Sequence, residues 1–351
     1  LFLERAKRTP ELAAFRYFDT RQNAWATLSW GQMLEQVARW QAALLHEHLE
    51  AGDRVGIMLR NCPQWVMFEQ AAMSLGLVVV PLYVVDRPDS VAYIVNNAEV
   101  KVLLFEGAEQ WLGLETVMEQ LGGIHRFVTL DRISGHAGDR LQCADDWLPA
   151  QAHLGWERVR DGGALATIMY TSGTTGKPKG VMLSHNNILQ NAYCGLLTFP
   201  VTTQDILLSF LPLSHAFERT AGYYMSMVAG ATVAYARSIP LLADDLKNIR
   251  PTILISVPRI YERIYNAIHS KLEAASPLQH KLFTLAVDVG WARFEYQQGR
   301  KAWTPKLLLW PLLKSLVADK IMDRLGGRLR LSISGGAALP PKVSRLFIAL
   351  G

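Results

Sequence analysis

An α/β fold with a doubly wound, mostly parallel sheet is what this sequence predicts, and three observations carry the prediction. Short apolar runs rich in Val, Ile and Leu alternate with segments of helical periodicity along most of the chain. Glycine and proline punctuate the joints between them. One run, Ala164–Tyr170, leads into a loop rich in glycine and hydroxyls. In a parallel sheet the carboxyl ends of strands are where ligands bind.

The elements follow in order. Leu1–Arg8 reads as a short helix, closed by Pro10. Phe15–Phe18 and Trp25–Leu28 read as a hairpin through Thr20–Asn23. Ser29 is a good N-cap for a helix from Trp30 to about His48, whose Leu34, Val37, Trp40, Ala43 and Leu44 recur at helical spacing. Strands are expected at Arg54–Leu59, Leu77–Leu82, Val100–Phe105, His125–Leu130 and Ala164–Tyr170. Helices are expected between them at Pro63–Leu75, Pro88–Asn97 and Glu109–Leu121. Asp131–Gly163 is rich in Gly, Asp and His and reads as a surface excursion. A helix follows from His185 to about Leu197. A second series alternates strands Asp205–Leu211, Ala231–Tyr235, Thr252–Val257 and Arg328–Ser334 with helices. Those helices are Phe217–Val228, Leu241–Asn248, Tyr261–Glu273, Pro277–Tyr296, Pro305–Leu325 and Pro341–Ala349.

Composition narrows the class. The 351 residues are 50% hydrophobic, enough for one large domain or two medium ones. The formal charge of +5 suits attraction of anionic nucleotides and gives no reason to expect nucleic acid as a partner. Cys62, Cys143 and Cys194 lie far apart without C-x-x-C spacing, which points to a reduced, cytoplasmic setting and against a zinc site. The longest apolar run, Leu75–Val85, is too short to span a bilayer and contains Pro81.

The loop Tyr170-Thr-Ser-Gly-Thr-Thr-Gly-Lys-Pro-Lys-Gly180 holds three threonines, one serine and three glycines in eleven residues. Such a stretch cannot form a core, but it can wrap a polyphosphate. Glycine lets backbone N–H groups approach anionic oxygens, hydroxyls add donors, and Lys177 and Lys179 bring positive charge. The spacing excludes a Walker A loop, because Gly176-Lys177 is followed by Pro178. It also excludes the G-x-G-x-x-G loops of kinases and Rossmann folds, since two threonines separate Gly173 from Gly176.

The eleven residues resemble the signature loop of the adenylate-forming superfamily, which includes acyl-CoA synthetases, luciferase and peptide-synthetase adenylation domains. Three later stretches are similar to motifs of the same family. Leu211-Pro-Leu-Ser-His-Ala-Phe-Glu-Arg-Thr220 looks like the second motif in the form carried by long-chain acyl-CoA synthetases. Glu218 and Arg219 within it can be read as a local ion pair on a helix. Ser256-Val-Pro-Arg-Ile-Tyr-Glu-Arg263 resembles the segment that gates a fatty-acyl tunnel, with Tyr261 at the gate; a core position for Tyr261 is the competing reading. Leu331-Ser-Ile-Ser-Gly-Gly-Ala-Ala-Leu-Pro340 matches the adenine-side motif.

The resemblance implies two doubly wound, mostly parallel sheets flanked by helices. One layer would comprise residues 1–60 and 205–351, and the other, carrying the phosphate loop, residues 61–204. Relatives carry further motifs, a magnesium-holding Glu, a ribose-binding Asp and a C-terminal domain with a catalytic lysine. None is found in these 351 residues, so the expectation is the N-terminal part of a larger enzyme, inactive alone. The implied activity is AMP-forming long-chain fatty acid–CoA ligation, using ATP, Mg²⁺ and coenzyme A. Lys179, His215 and Thr171 would take part in catalysis, with Thr171 assisting the magnesium. Thr171, Ser172, Gly173, Thr174, Thr175, Gly176, Lys177 and Lys179 would hold the nucleotide's phosphates. Gly335, Gly336, Ala337 and Ala338 would lie against its adenine. His215, Phe217, Arg259 and Tyr261 would face the fatty acid. The alternatives are an acyl-AMP ligase delivering to a carrier protein and a non-catalytic nucleotide- or acyl-binding module. Finally, Trp303–Lys320 sets leucines beside Lys306, Lys314 and Lys320. That pattern fits an interfacial helix, giving peripheral association at the inner membrane surface, or more simply a helix covering a sheet.

Overall fold

The computed structural model describes residues 1–135, 139–153, 155, 161–171 and 177–351. Its strands are β1 Ala13–Asp19, β2 Ala24–Ser29, β3 Arg54–Met58, β4 Val78–Pro81, β5 Val100–Phe105, β6 Arg126–Thr129 and β7 Leu141–Cys143. They continue as β8 Leu165–Thr171, β9 Lys179–Ser184, β10 Ile206–Ser209, β11 Thr232–Tyr235, β12 Ile253–Ser256 and β13 Leu331–Ser334. They form two mostly parallel sheets flanked by helices; the alternation predicted the parallel α/β class, and the resemblance implied the two sheets. The chain divides into two compact units, Leu1–Thr203 with Phe210–Tyr235, and Gln204–Ser209 with Ala236–Gly351.

The first unit is built on a seven-stranded sheet in the order β7-β6-β5-β3-β4-β8-β9. Six strands run parallel, and β9 returns antiparallel to β8. The central strands β3, β4 and β5 are mostly apolar and buried along almost their whole length, as strands covered on both faces are. On one face, Val80, Leu103, Phe105 and Phe127 pack with Trp111 and Leu114 in a single apolar cluster. The helix Pro63–Ser74 starts with proline in its first turn and is buried along almost its whole length. The helix Trp30–His46 is capped as expected: Ser29 accepts from the Gln32 N–H while the Gln32 side chain accepts from the Ser29 N–H. The same unit holds the β1–β2 hairpin, with β11 parallel to β1.

The second unit orders β13-β12-β10, all parallel. Helices Pro258–Glu273, Pro277–Gln297 and Pro341–Leu350 accompany these strands. Phe283, Ala286, Val289, Trp310, Leu313 and Leu346 form an apolar cluster there.

Four expectations need correction. The stretch Asp131–Gly163 contains more than excursion: β7 pairs parallel with β6, and a short helix Ala144–Trp147 follows. Lys179–Ser184 is a strand paired antiparallel with β8, before the helix His185–Thr198 begins. The boundary at Arg60 falls one strand late, since β3 pairs with β4 and β5 in the loop-bearing sheet. Pro305–Leu325 is a chain of short 3₁₀, α and π turns rather than one helix. Pro311 lies inside it, where the missing N–H interrupts the helical ladder. This segment buries Trp310 and Leu313 yet leaves Leu308, Leu312 and Leu316 exposed, as is Trp303 just before it. Among the described residues no helix is long and apolar enough to cross a membrane.

Candidate nucleotide- and acyl-binding site

In the first unit the expected site residues gather at the carboxyl ends of β3, β4 and β8, which are neighbours in the sheet. Thr171 ends β8 and lies opposite Lys179 at the start of β9. Both residues are exposed, so the hydroxyl and the ammonium meet solvent. Ser172–Gly176, the five residues between Thr171 and Lys177, lie outside the described residues. Lys177 sits 5.7 Å above the Tyr93 ring, a cation–π distance. The hydroxyl of Tyr170 donates to Asn97 Oδ1 at 2.6 Å and ties the end of β8 to the helix Pro88–Asn97. Gly180 has a steric reason to be glycine: a Cβ there would stand 2.7 Å from Ile168 Cγ2 and 3.1 Å from the Tyr170 ring. Only a bare backbone lets β9 lie this close across β8.

The turn carrying His215 is held from two sides. Asn61, just beyond β3, donates through Nδ2 to the Leu211 carbonyl at 2.7 Å and accepts through Oδ1 from the Leu213 N–H at 2.9 Å. Ser214 is buried and donates to the Leu82 carbonyl, just beyond β4, at 2.7 Å. His215 is left exposed. The Phe217 N–H donates to His215 Nδ1 at 3.2 Å, so the neutral ring carries its proton on Nε2. Phe217 itself is half-buried.

Arg219 is not in a local pair with Glu218. The segment Glu218–Tyr224 winds as a π-helix, and Arg219 turns inward to Glu69, on the helix Pro63–Ser74. Its Nε donates to Glu69 Oε1 at 2.8 Å, one terminal nitrogen donates to the same oxygen, and the other reaches Thr167 Oγ1 at 2.9 Å. Tyr224 donates to Glu69 at 2.9 Å, and Gln70 donates to the Tyr223 hydroxyl at 2.6 Å. Burial, with the Glu69 charge adding to it, pushes the Tyr223 phenol well above its ordinary value; burial does the same to Tyr224. Both phenols therefore stay neutral. Glu69, Gln70, Thr167, Tyr223 and Tyr224 went unnoticed in the sequence. The polar pair Glu69 and Gln70 inside the otherwise apolar run Trp65–Met73 was the available signal.

In the second unit the expected residues lie at the carboxyl ends of β12 and β13, paired in register through Ser256 and Ser334. Gly335 donates to the Ser256 carbonyl at 3.1 Å. Gly336 has φ +82°, a conformation that favours glycine. Gly336, Ala337 and Ala338 are exposed, leaving their backbone open to a flat ring. Arg259 is exposed in the first turn of its helix. Tyr261 is not: it is 1% accessible, on another face of the same turn. Its hydroxyl lies between the carbonyls of Leu254 on β12, at 2.9 Å, and Ile333 on β13, at 3.1 Å. Its ring meets Phe347 edge-on at 5.3 Å, and burial raises its phenol pKa. Packing of this kind supports the core reading of Tyr261. The ring also borders a cavity of about 530 Å³ with Phe347, Leu331 and Ile348. No group of three or more His, Cys, Asp or Glu able to hold a metal occurs among the described residues.

A model of the AMP-binding enzyme family matches residues 2–351. The chain belongs to the AMP-binding enzyme family. Among curated proteins, fatty acyl-CoA synthetase A of Dictyostelium discoideum is 31% identical over 94% of this chain and 49% of its own length. Long chain acyl-CoA synthetase 1 of Arabidopsis thaliana is 30% identical over 93% of this chain and 51% of its own. The chain thus spans about half the length of the curated relatives it matches. Two solved structures share the fold: the inhibitor-bound N-terminal domain of FACL13 from Mycobacterium tuberculosis and ATP-bound MatB from Rhodopseudomonas palustris. The first has a TM-score of 0.69 at 21% identity, covering 99% of this chain and 72% of that one. The second has a TM-score of 0.69 at 20% identity, covering 99% and 57%.

Proposed function

We propose that the protein acts as an AMP-forming long-chain fatty acid–CoA ligase. One observation carries the reading: relatives named long-chain acyl-CoA synthetases align along more than nine-tenths of the chain. The exposed Thr171–Lys179 pair at the end of β8 fits it chemically. In this reading a fatty carboxylate oxygen attacks the α-phosphorus of magnesium-bound ATP, and pyrophosphate leaves. The thiol of coenzyme A then attacks the acyl carbonyl, and AMP leaves.

The carboxylate is already ionised at neutral pH, so the first step asks for positioning and charge neutralisation rather than a base. Lys179 and the loop donors would supply charge and hydrogen bonds, and Thr171 would help hold a magnesium ion, which would neutralise charge on the phosphates. His215 faces the acyl carboxylate and α-phosphate through its Nε2 proton. Phe217 and Arg259 border the acyl group, and Gly335–Ala338 lie against the adenine. Tyr261, buried beneath the helix turn that carries Arg259, supports that turn from within the second unit. The reading includes a cytoplasmic location, which suits three free cysteines. It also includes peripheral contact with the membrane through the exposed leucines and lysines of Trp303–Lys320.

The test uses the full-length protein with ATP, Mg²⁺ and a long-chain fatty acid. Pyrophosphate release should require the fatty acid, and acyl-CoA should form only when coenzyme A is added. Release independent of fatty acid would overturn the reading. Acyl-AMP that coenzyme A fails to consume would instead point to delivery onto a carrier protein.

A further inference from the structure

A guanidinium closed off from solvent is expensive to bury, and an apolar side chain of similar volume would serve packing as well or better. Arg219 is 1% accessible and Glu69 is fully buried. Nothing in the reaction proposed above touches either. The pair must be judged by the geometry it imposes, which involves three elements at once.

Arg219 stands over the Trp65 ring at 5.3 Å and the Tyr224 ring at 5.6 Å, so two aromatic rings hold its fork. Two of its nitrogens are committed to Glu69. The third reaches Thr167 on β8. The Thr167 hydroxyl, accepting from Arg219, donates in turn to the Val79 carbonyl on β4 at 2.6 Å. Val79 and Thr167 are also the register pair where β4 and β8 meet. The junction between β8 and the rest of its sheet is therefore reinforced at one residue, and Arg219 orients the hydroxyl that does it. Thr171 lies four residues further along β8, on the same face by strand alternation. At its other end Arg219 donates its backbone N–H to the His215 carbonyl at 3.0 Å.

We propose that Arg219 is a positioning residue that sets the phosphate hairpin and the His215 turn relative to each other, acting through the Thr167 hydroxyl. The proposal rests on the ligase reading, because it assigns the hairpin to ATP. Glu69 fixes the guanidinium, Arg219 fixes the hydroxyl, and the hydroxyl fixes the strand from which Thr171 and the loop emerge.

The experiment compares Thr167→Val with Thr167→Ser in the full-length protein. The valine variant keeps the shape and removes the hydroxyl; the serine variant restores it. Fatty-acid-dependent ATP–pyrophosphate exchange, MgATP affinity by calorimetry and the melting temperature are measured on each. Misplacement of binding groups by an ångström costs on the order of a hundredfold in rate. Thr167→Val is expected to lose between about tenfold and a hundredfold in exchange, with weakened MgATP affinity, and Thr167→Ser to recover most of both. A Thr167→Val protein that exchanges and binds MgATP like the parent overturns the proposal while the ligase reading stands. So does a serine variant as impaired as the valine one. If the parent protein shows no exchange, the ligase reading fails, and MgATP affinity across the two variants still decides the positioning role. Should Thr167→Val not fold, Arg219→Lys is read by the same measurements, since it keeps the charge beside Glu69 and gives up the fork. Unchanged exchange and affinity in that variant overturn the proposal equally.

Discussion

Neither member of the Glu69–Arg219 pair can lose its partner cheaply. Removing one leaves the other charged and buried, at a cost of roughly 3–5 kcal/mol, whereas an apolar pair of similar volume is often tolerated. Glu69→Leu and Arg219→Met should each lower stability by about that amount, and the double variant should recover most of it; urea denaturation of all three decides. Tyr261 gives a second test at this scale. As a core residue, Tyr261→Ala should cost roughly 3–5 kcal/mol. Tyr261→Phe, which gives up only the hydrogen bond shared by Leu254 and Ile333, should cost about 1 kcal/mol. A length series of fatty acids, run beside the melts, would expose a gate if the ranking changed while the fold held. These residues were the least legible in the sequence. The motif drew attention to Arg219, but its partner lies 150 residues away. The π-helical winding that aims it inward has no marker in local spacing.

Among the elements, the β8–β9 hairpin is the one proposed to carry the nucleotide chemistry. Lys179→Ala in the full-length protein should slow pyrophosphate release by on the order of 10²–10³ and change fatty-acid binding far less, as for other single electrostatic stabilisers. Equal losses in both measurements would count against its assignment to the phosphates. Gly180→Ala should strain the same hairpin, because Ile168 Cγ2 is held at its branch point and cannot swing aside. Overpacking of this kind costs roughly 1–3 kcal/mol, readable as a lower denaturation midpoint. The buried strands were legible as short continuous apolar runs, and the long helices by their apolar period of 3.6. β7 and β9 were not. β7 is three residues long, and β9 is mostly exposed, so neither shows the apolar run that marks a buried strand.

At the scale of the whole molecule, the alternation of strands and helices was enough to give a parallel α/β architecture, since parallel strands need crossover helices. The boundaries were harder, because β3 lies early in the chain yet pairs within the loop-bearing sheet. The placement of β9 has one more consequence. It is the outermost strand of that sheet, with Val181 44% and Met182 65% accessible. An open strand margin of this kind is a template for pairing with a foreign chain, and lysine is a common guard against it. Lys179 stands at the start of that margin, so one ammonium would both meet ATP and keep molecules apart. Lys179→Ala should then raise the tendency to self-associate as well as slow the chemistry. Light scattering across a concentration series should show larger particles for Lys179→Ala than for Lys179→Arg, in which the guard charge remains.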